Sequence, residues 1–127
     1  MLKTLPMFAL ALMAPAPSSS QELAQDVRVT LSSFDFAPAE LRLPSGEMIH
    51  LILVNDSSGG HDFSAPEFFA AAKVDPQSAK WIRRGKVEVP SGKSVTIKLV
   101  PAKGTYRLKC SHFAHAMMGM TGTITVE

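Results

Sequence analysis

The chain has one cysteine, Cys110, among 127 residues, so it cannot close a disulfide of its own. A lone thiol in an oxidising compartment is either buried and inert or held by a metal. Long apolar runs are also missing. The most apolar stretch, ending at Met13, falls far short of the ~20 residues that span a bilayer, which excludes a membrane-spanning helix. Acidic residues are scarce in one region. Between Lys80 and Lys109 stand Lys80, Arg83, Arg84, Lys86, Lys93, Lys98, Lys103, Arg107 and Lys109 against the single acid Glu88. Such an imbalance is either a set of solvated strand faces or a docking surface for an acidic partner.

What is present begins with MLKTLPMFALALMAPAPSSSQ. An early positive charge at Lys3, an apolar run, then small residues and prolines make the layout of a secretory signal peptide. We expect residues 1–20 to be that signal, cut after Ser20, and residues 21–127 to form one exported, periplasmic domain. No cysteine lies near residue 20, so no lipid anchor is expected. Export also makes nucleic acid a poor partner.

The exported part reads as short strands punctuated by Pro, Gly and Ser. DVRVTLSSF alternates Val27, Val29 and Leu31 with polar residues, a half-buried strand. Leu41 to Leu43 follows, then a Pro-Ser-Gly turn and the continuous apolar run Met48 to Val54, which should be central. Lys86 to Val89, Ser94 to Val100, Gly104 to Cys110 and Thr121 to Glu127 complete the set. This spacing predicts an all-β fold, an antiparallel β-sandwich. One segment, SAPEFFAAAKVD, predicts a short helical insertion with Ser64 and Glu67 as a capping box, Pro66 in the first turn, and Phe68 and Ala72 on the buried side.

The run CSHFAHAMMGM, Cys110 to Met120, joins the last two strands at one end of the sandwich. His61, in SSGGHDF, is expected on a loop approaching the same end. A thiolate, two imidazoles and a thioether form the donor set of a mononuclear blue-copper site, with Cys and two His in a plane and a weak axial Met. Zinc prefers four strong donors and gains little from a thioether. A dinuclear copper centre would need a second bridging thiolate. His112, two residues after the cysteine, is read as a surface or supporting residue, His50 as a structural histidine, and Met117 and Met118 as packing around the site.

At these residues the chain resembles the cupredoxin family of small blue-copper proteins, which includes plastocyanin, pseudoazurin, azurin and rusticyanin. FAPAELRLPSGEMIHLILVN resembles the family's second and third strands, GGHDF its first-ligand loop, and GTYRLKCSHFAHAMMGMTGTITVE its ligand loop and closing strand. The spacing Cys110-x4-His115-x4-Met120 before TGTITV carries the resemblance most specifically, and is closer to rusticyanin than to plastocyanin. The resemblance implies a Greek-key cupredoxin sandwich and one type 1 copper ion, with His61, Cys110 and His115 equatorial and Met120 axial. The residue after the first histidine is commonly Asn in the family and here is Asp62. Its side chain is expected to accept from the backbone or hydroxyl of Ser111.

Such a site suits single-electron transfer between redox partner proteins, through the His115 edge flanked by Ala114, Ala116 and Met117, with the chain acting as a monomer. The alternative is copper buffering, delivery or tolerance, with His112, Met117 and Met118 passing on Cu(I). The chain has no Met- or His-rich tail, and tails of that kind are typical of carriers. An enzyme is not expected, because four protein ligands leave no open position for substrate.

Overall fold

The computed structural model describes residues 2–6, 9–15, 24–112 and 118–127. Residues 2–6 and 9–15 have no regular secondary structure, and Leu2, Leu5, Leu10, Leu12 and Met13 are exposed. The expected cleavage region, residues 16–20, lies outside the described residues. Among the described residues no helix is long and apolar enough to cross a membrane.

In chain order the strands are β1 (Gln25–Ser32), β2 (Asp35–Ala37), β3 (Glu40–Leu43), β4 (Ile49–Asn55), β5 (His61–Ser64), β6 (Lys73–Val74), β7 (Ile82–Arg83), β8 (Lys86–Val89), β9 (Ser94–Val100), β10 (Gly104–Lys109) and β11 (Thr121–Val126). Helix α1 (Pro66–Ala71) follows β5, and α2 (Pro76–Ala79) follows β6. The strands form two sheets, β2-β1-β4-β9-β6 and β3-β11-β10-β5-β8-β7. The expected β-sandwich with a short helical insertion is therefore what the chain forms, and β4 is central, flanked by β1 and β9.

Alternation decides which side chains enter the space between the sheets. Leu51, Leu53, Ile97, Leu99, Leu108 and Ile124 are almost wholly buried, while their neighbours along each strand are more exposed. Phe36 meets Phe63 edge to face at 6.0 Å, Phe63 meets Phe69 at 5.9 Å, and Phe68 meets Tyr106 at 5.6 Å. Each such pair adds about 0.5–1.5 kcal/mol beyond its area burial. These rings clamp β5 between the opposite sheet and α1.

The pairings are antiparallel except β1 with β4 and β3 with β11, which are parallel. After β1 and β2 the chain crosses to the second sheet as β3 and returns as β4, so β4 runs in the direction of β1. Alternation reports burial, not strand direction, and so could not reveal this. The capping box is also corrected. Ser64 ends β5, paired with Lys86 and Lys109, and the N-cap of α1 is Ala65, with no side-chain cap. Of the side chains expected to face inward from α1, Phe68 is buried, but Ala72 is the half-buried C-cap and Phe69 takes the second buried place.

Candidate metal centre

The second sheet places β10 between β11 and β5. In β10 and β11, Lys109 pairs with Thr121, and one step further the Cys110 N–H donates to the Met120 carbonyl at 3.0 Å. Cys110 shares the inward face with Leu108, and Met120 shares it with Ile124 and Val126; all five are buried. On the other side Lys109 pairs with Ser64. Continuing that antiparallel register sets Cys110 opposite Phe63 and Ser111 opposite Asp62. His61 and Phe63 then share the inward face of β5, and both are buried. Thiol, thioether and imidazole therefore stand on one face at one end of adjoining strands, with the cysteine in the middle. Cys110 and Met120 are directly opposed, a placement in which Cβ atoms stand roughly 4.5–5.5 Å apart, and His61 is the diagonal neighbour of Cys110, at roughly 7–8 Å.

His61 was expected on a loop and is instead the first residue of β5, paired with Val89. HDFS does not alternate in polarity, because both faces of β5 are covered and all its residues are buried. Its strand character comes from pairing to β8 and β10. His115 and Met117 lie outside the described residues.

The expected support from Asp62 is present. The Ser111 N–H donates to Asp62 Oδ1 at 2.7 Å, and the Ser111 hydroxyl donates to Asp62 Oδ2. Asp62 is buried, so its negative charge is screened little by solvent. Burial pushes the Cys110 thiol above its ordinary pKa; backbone hydrogen bonds involving Asp62 and His112 pull it down, and the Asp62 and Glu88 carboxylates push it up.

His112, just beyond Ser111, is half-exposed. Its Nε2 donates to Glu88 Oε1 at 2.9 Å and lies 4.0 Å from Asp62 Oδ2. Sequence reasoning did not foresee this clasp, although Glu88 was conspicuous as the single acid in the basic stretch. His50 pairs through Nδ1 with Asp26 Oδ1 at 3.0 Å, as a structural histidine would. Met118 is 63% exposed, whereas Met120 is buried, and Gly119 between them has φ +82°, a turn that suits glycine.

A second residue that sequence reasoning missed is Asn55. Its Nδ2 donates to the Gly59 and Val89 carbonyls, each at 2.8 Å, while its Oδ1 accepts from the Ser57 N–H at 2.9 Å. These bonds brace the turn that delivers His61 and fasten it to the residue His61 pairs with. A lone Asn at a strand end looks like ordinary turn chemistry, which is why it drew no attention. Asn55→Ala removes these bonds, among them the buried one to the Val89 carbonyl, while the exposed Gly59 carbonyl keeps the Ser57 hydroxyl at 2.9 Å; it is expected to cost about 1–3 kcal/mol, seen as a lower denaturant midpoint. An unchanged midpoint would show that the brace contributes nothing.

Comparison with known proteins agrees with this fold. A family model described as a cupredoxin-like domain matches residues 4–126. No curated protein matches the chain. Among solved structures it is similar to auracyanin B, with 22% identity over 82% of this chain and 89% of that one and a TM-score of 0.59. It is likewise similar to the dithionite-reduced auracyanin of the photosynthetic bacterium Roseiflexus castenholzii, with 21% identity over 82% of this chain and 98% of that one and a TM-score of 0.60. A multicopper oxidase from Campylobacter jejuni, a metallo-oxidase, gives 13% identity and a TM-score of 0.62 over 86% of this chain but 31% of its own. At these identities the structural likenesses speak to the fold.

Proposed function

We propose, from the premise that this chain belongs to the cupredoxin-like domain family, that it is an exported electron carrier holding one type 1 copper ion through His61, Cys110, His115 and Met120. Membership in the family implies copper binding. The assignment of ligands rests on the buried inward face shared by Cys110, Met120 and His61 at the ends of β10, β11 and β5. These donors fit copper: the set is soft, it is shut away from water, and its thioether would add little to a zinc site. When bound, copper supplies a one-electron couple in a geometry that serves both oxidation states.

The protein's own part is to hold the donors still. Asp62 fixes the backbone at Ser111, Met120 is tied by its carbonyl to Cys110, and Asn55 braces the approach to His61. Little rearrangement then accompanies each transfer. Export is proposed from the order of Lys3, the apolar run and the small residues before Gln21. The dithionite-reduced state of the Roseiflexus neighbour fits a redox role.

The test is the visible and electron paramagnetic resonance spectrum of the protein loaded with Cu(II). A strong thiolate-to-copper band with narrow hyperfine splitting is expected. A colourless protein binding Cu(II) through nitrogen and oxygen alone would overturn the reading. The exposed Met118 thioether favours a second reading, copper buffering or delivery. Mixing the Cu(I) form with a strong chelator separates the two: slow loss with fast redox exchange marks the carrier, and rapid surrender marks delivery.

A further inference from the structure

The cations of the basic stretch are not evenly spread. A cleft of about 540 Å³ is lined by Lys80, Trp81, Arg83, Arg84 and Lys86, with Glu88 among its other residues. The Glu88 carboxylate is taken up by His112 at 2.9 Å, so the acid in this wall already has a cationic or hydrogen-bonding partner. Trp81 is the chain's sole tryptophan and is 49% exposed, with Lys80 Nζ 5.3 Å from its ring centroid.

The cleft is built on a braced scaffold. α2 is capped by Asp75, whose Oδ1 accepts from the Gln77 N–H at 2.9 Å, and docks on β9 where the Lys98 N–H donates to the Ser78 hydroxyl at 3.0 Å. This sets Lys80 and Trp81 on one side. On the other, Arg83 pairs with Lys86 across the tight hairpin of β7 and β8. The linking residues Arg84 and Gly85 have φ values of 52° and 72°, the primed-turn pattern that suits a two-residue hairpin. A Cβ at Gly85 would lie 2.4 Å from Pro66 Cα, and the Ala65 N–H donates to the Gly85 carbonyl at 3.0 Å, so the hairpin tip rests on the start of α1. Arg84 occupies a left-handed position where Asn or Gly is the usual choice. Strain at such a place points to a use for the side chain.

We infer that this cleft docks an acidic segment of the protein that exchanges electrons with this chain, an inference that rests on the carrier reading above. The charge is complementary, and an exposed indole flanked by cations is the kind of anchor on which interfaces concentrate their energy. Lys80, Arg83 and Arg84 are exposed and Lys86 is half-buried. No one buried cation is poised to strip water from a single small anion; the spread suits several carboxylates on one surface. The position is also suitable. Val89 pairs with His61, and Lys86 lies three residues earlier on β8, about 10 Å along the strand. A partner held there stands beside the end of the sandwich that carries the ligands.

The probe is an octaglutamate peptide titrated into the full chain at low salt, with Trp81 emission as the readout. A saturable change is expected, absent with octaglutamine and weakened as salt rises from about 20 to 200 mM. Arg84→Asn keeps a residue that tolerates the left-handed tip while removing the charge, and should weaken binding about 2- to 5-fold. Adding Arg83→Ala should bring the loss to about tenfold. Lys103→Ala, exposed and outside the cleft lining, should leave it unchanged. An unsaturable response, an equal loss from Lys103→Ala, or citrate binding as tightly as the peptide would overturn the inference, the last by marking a small-anion site. The titration needs no copper. A failed titration beside a normal blue-copper spectrum sinks the docking surface alone, and a colourless protein with an intact titration sinks the carrier alone.

Discussion

Cys110→Ser is expected to abolish the intense visible absorption of the copper-loaded protein while leaving the fold in place. The two halves of that expectation have separate causes. On the proposed assignment the colour would arise from the thiolate bond to copper, and a serine oxygen at the same position is a hard, poorly ionised donor that cannot replace it. The fold at this position is held by the backbone, since the Cys110 N–H reaches the Met120 carbonyl at 3.0 Å and the neighbouring Lys109 pairs with Thr121 and Ser64. Neither contact uses the sulfur. The variant should therefore melt cooperatively with a native circular dichroism spectrum, losing about 1–3 kcal/mol for placing a hydroxyl at a wholly buried site. Persistent colour would move the site elsewhere. The wild-type thiol is pushed up mainly by burial, so copper uptake should also release a proton and weaken as pH falls. That release should vanish in the serine variant.

The sandwich was legible where a strand has one wet face. The Lys86–Val89 and Ser94–Val100 strands were read to their ends because Val87, Val89, Val95, Ile97 and Leu99 alternate with charged or polar neighbours. β5 was not legible, since every one of its residues is buried and its polarity pattern carries no period. Ser64 and Glu67 matched a capping box by spacing alone, but the backbone of Ser64 was already committed to neighbouring strands. Local propensity lost to tertiary pairing there. At the candidate site, the bond from Ser111 to Asp62 could be anticipated because both residues adjoin the proposed ligands in a recognisable pattern. The clasp between Glu88 and His112 could not, because the sequence shows that Glu88 is an unusual charge but not which residue the fold brings to it.

Met120→Leu should keep the colour and raise the reduction potential, and Met118→Leu should change it much less. A long thioether contact is weak, so it cannot order a mobile loop by itself and the scaffold must hold the sulfur where it is needed. Met120 meets that requirement. It is wholly buried on the inward face, its carbonyl is bonded to the Cys110 N–H, and Thr121 begins the pairing of β11 immediately after it. Met118 is 63% exposed on the far side of the Gly119 turn, with its side chain in solvent. Leucine at 120 conserves apolar volume, so the pocket stays dry and packed. What it removes is a fourth donor, and the more highly charged Cu(II), which favours a higher coordination number, loses more by it than Cu(I), which is content with three ligands; this sets the sign of the shift. A tenfold change in the relative affinity for the two oxidation states corresponds to about 59 mV for a one-electron couple, and a rise of roughly that size or more is expected. Redox titration of both variants decides the assignment. A larger shift from Met118→Leu would transfer the axial role to that residue, and equal small shifts would mean that no methionine sulfur tunes the site.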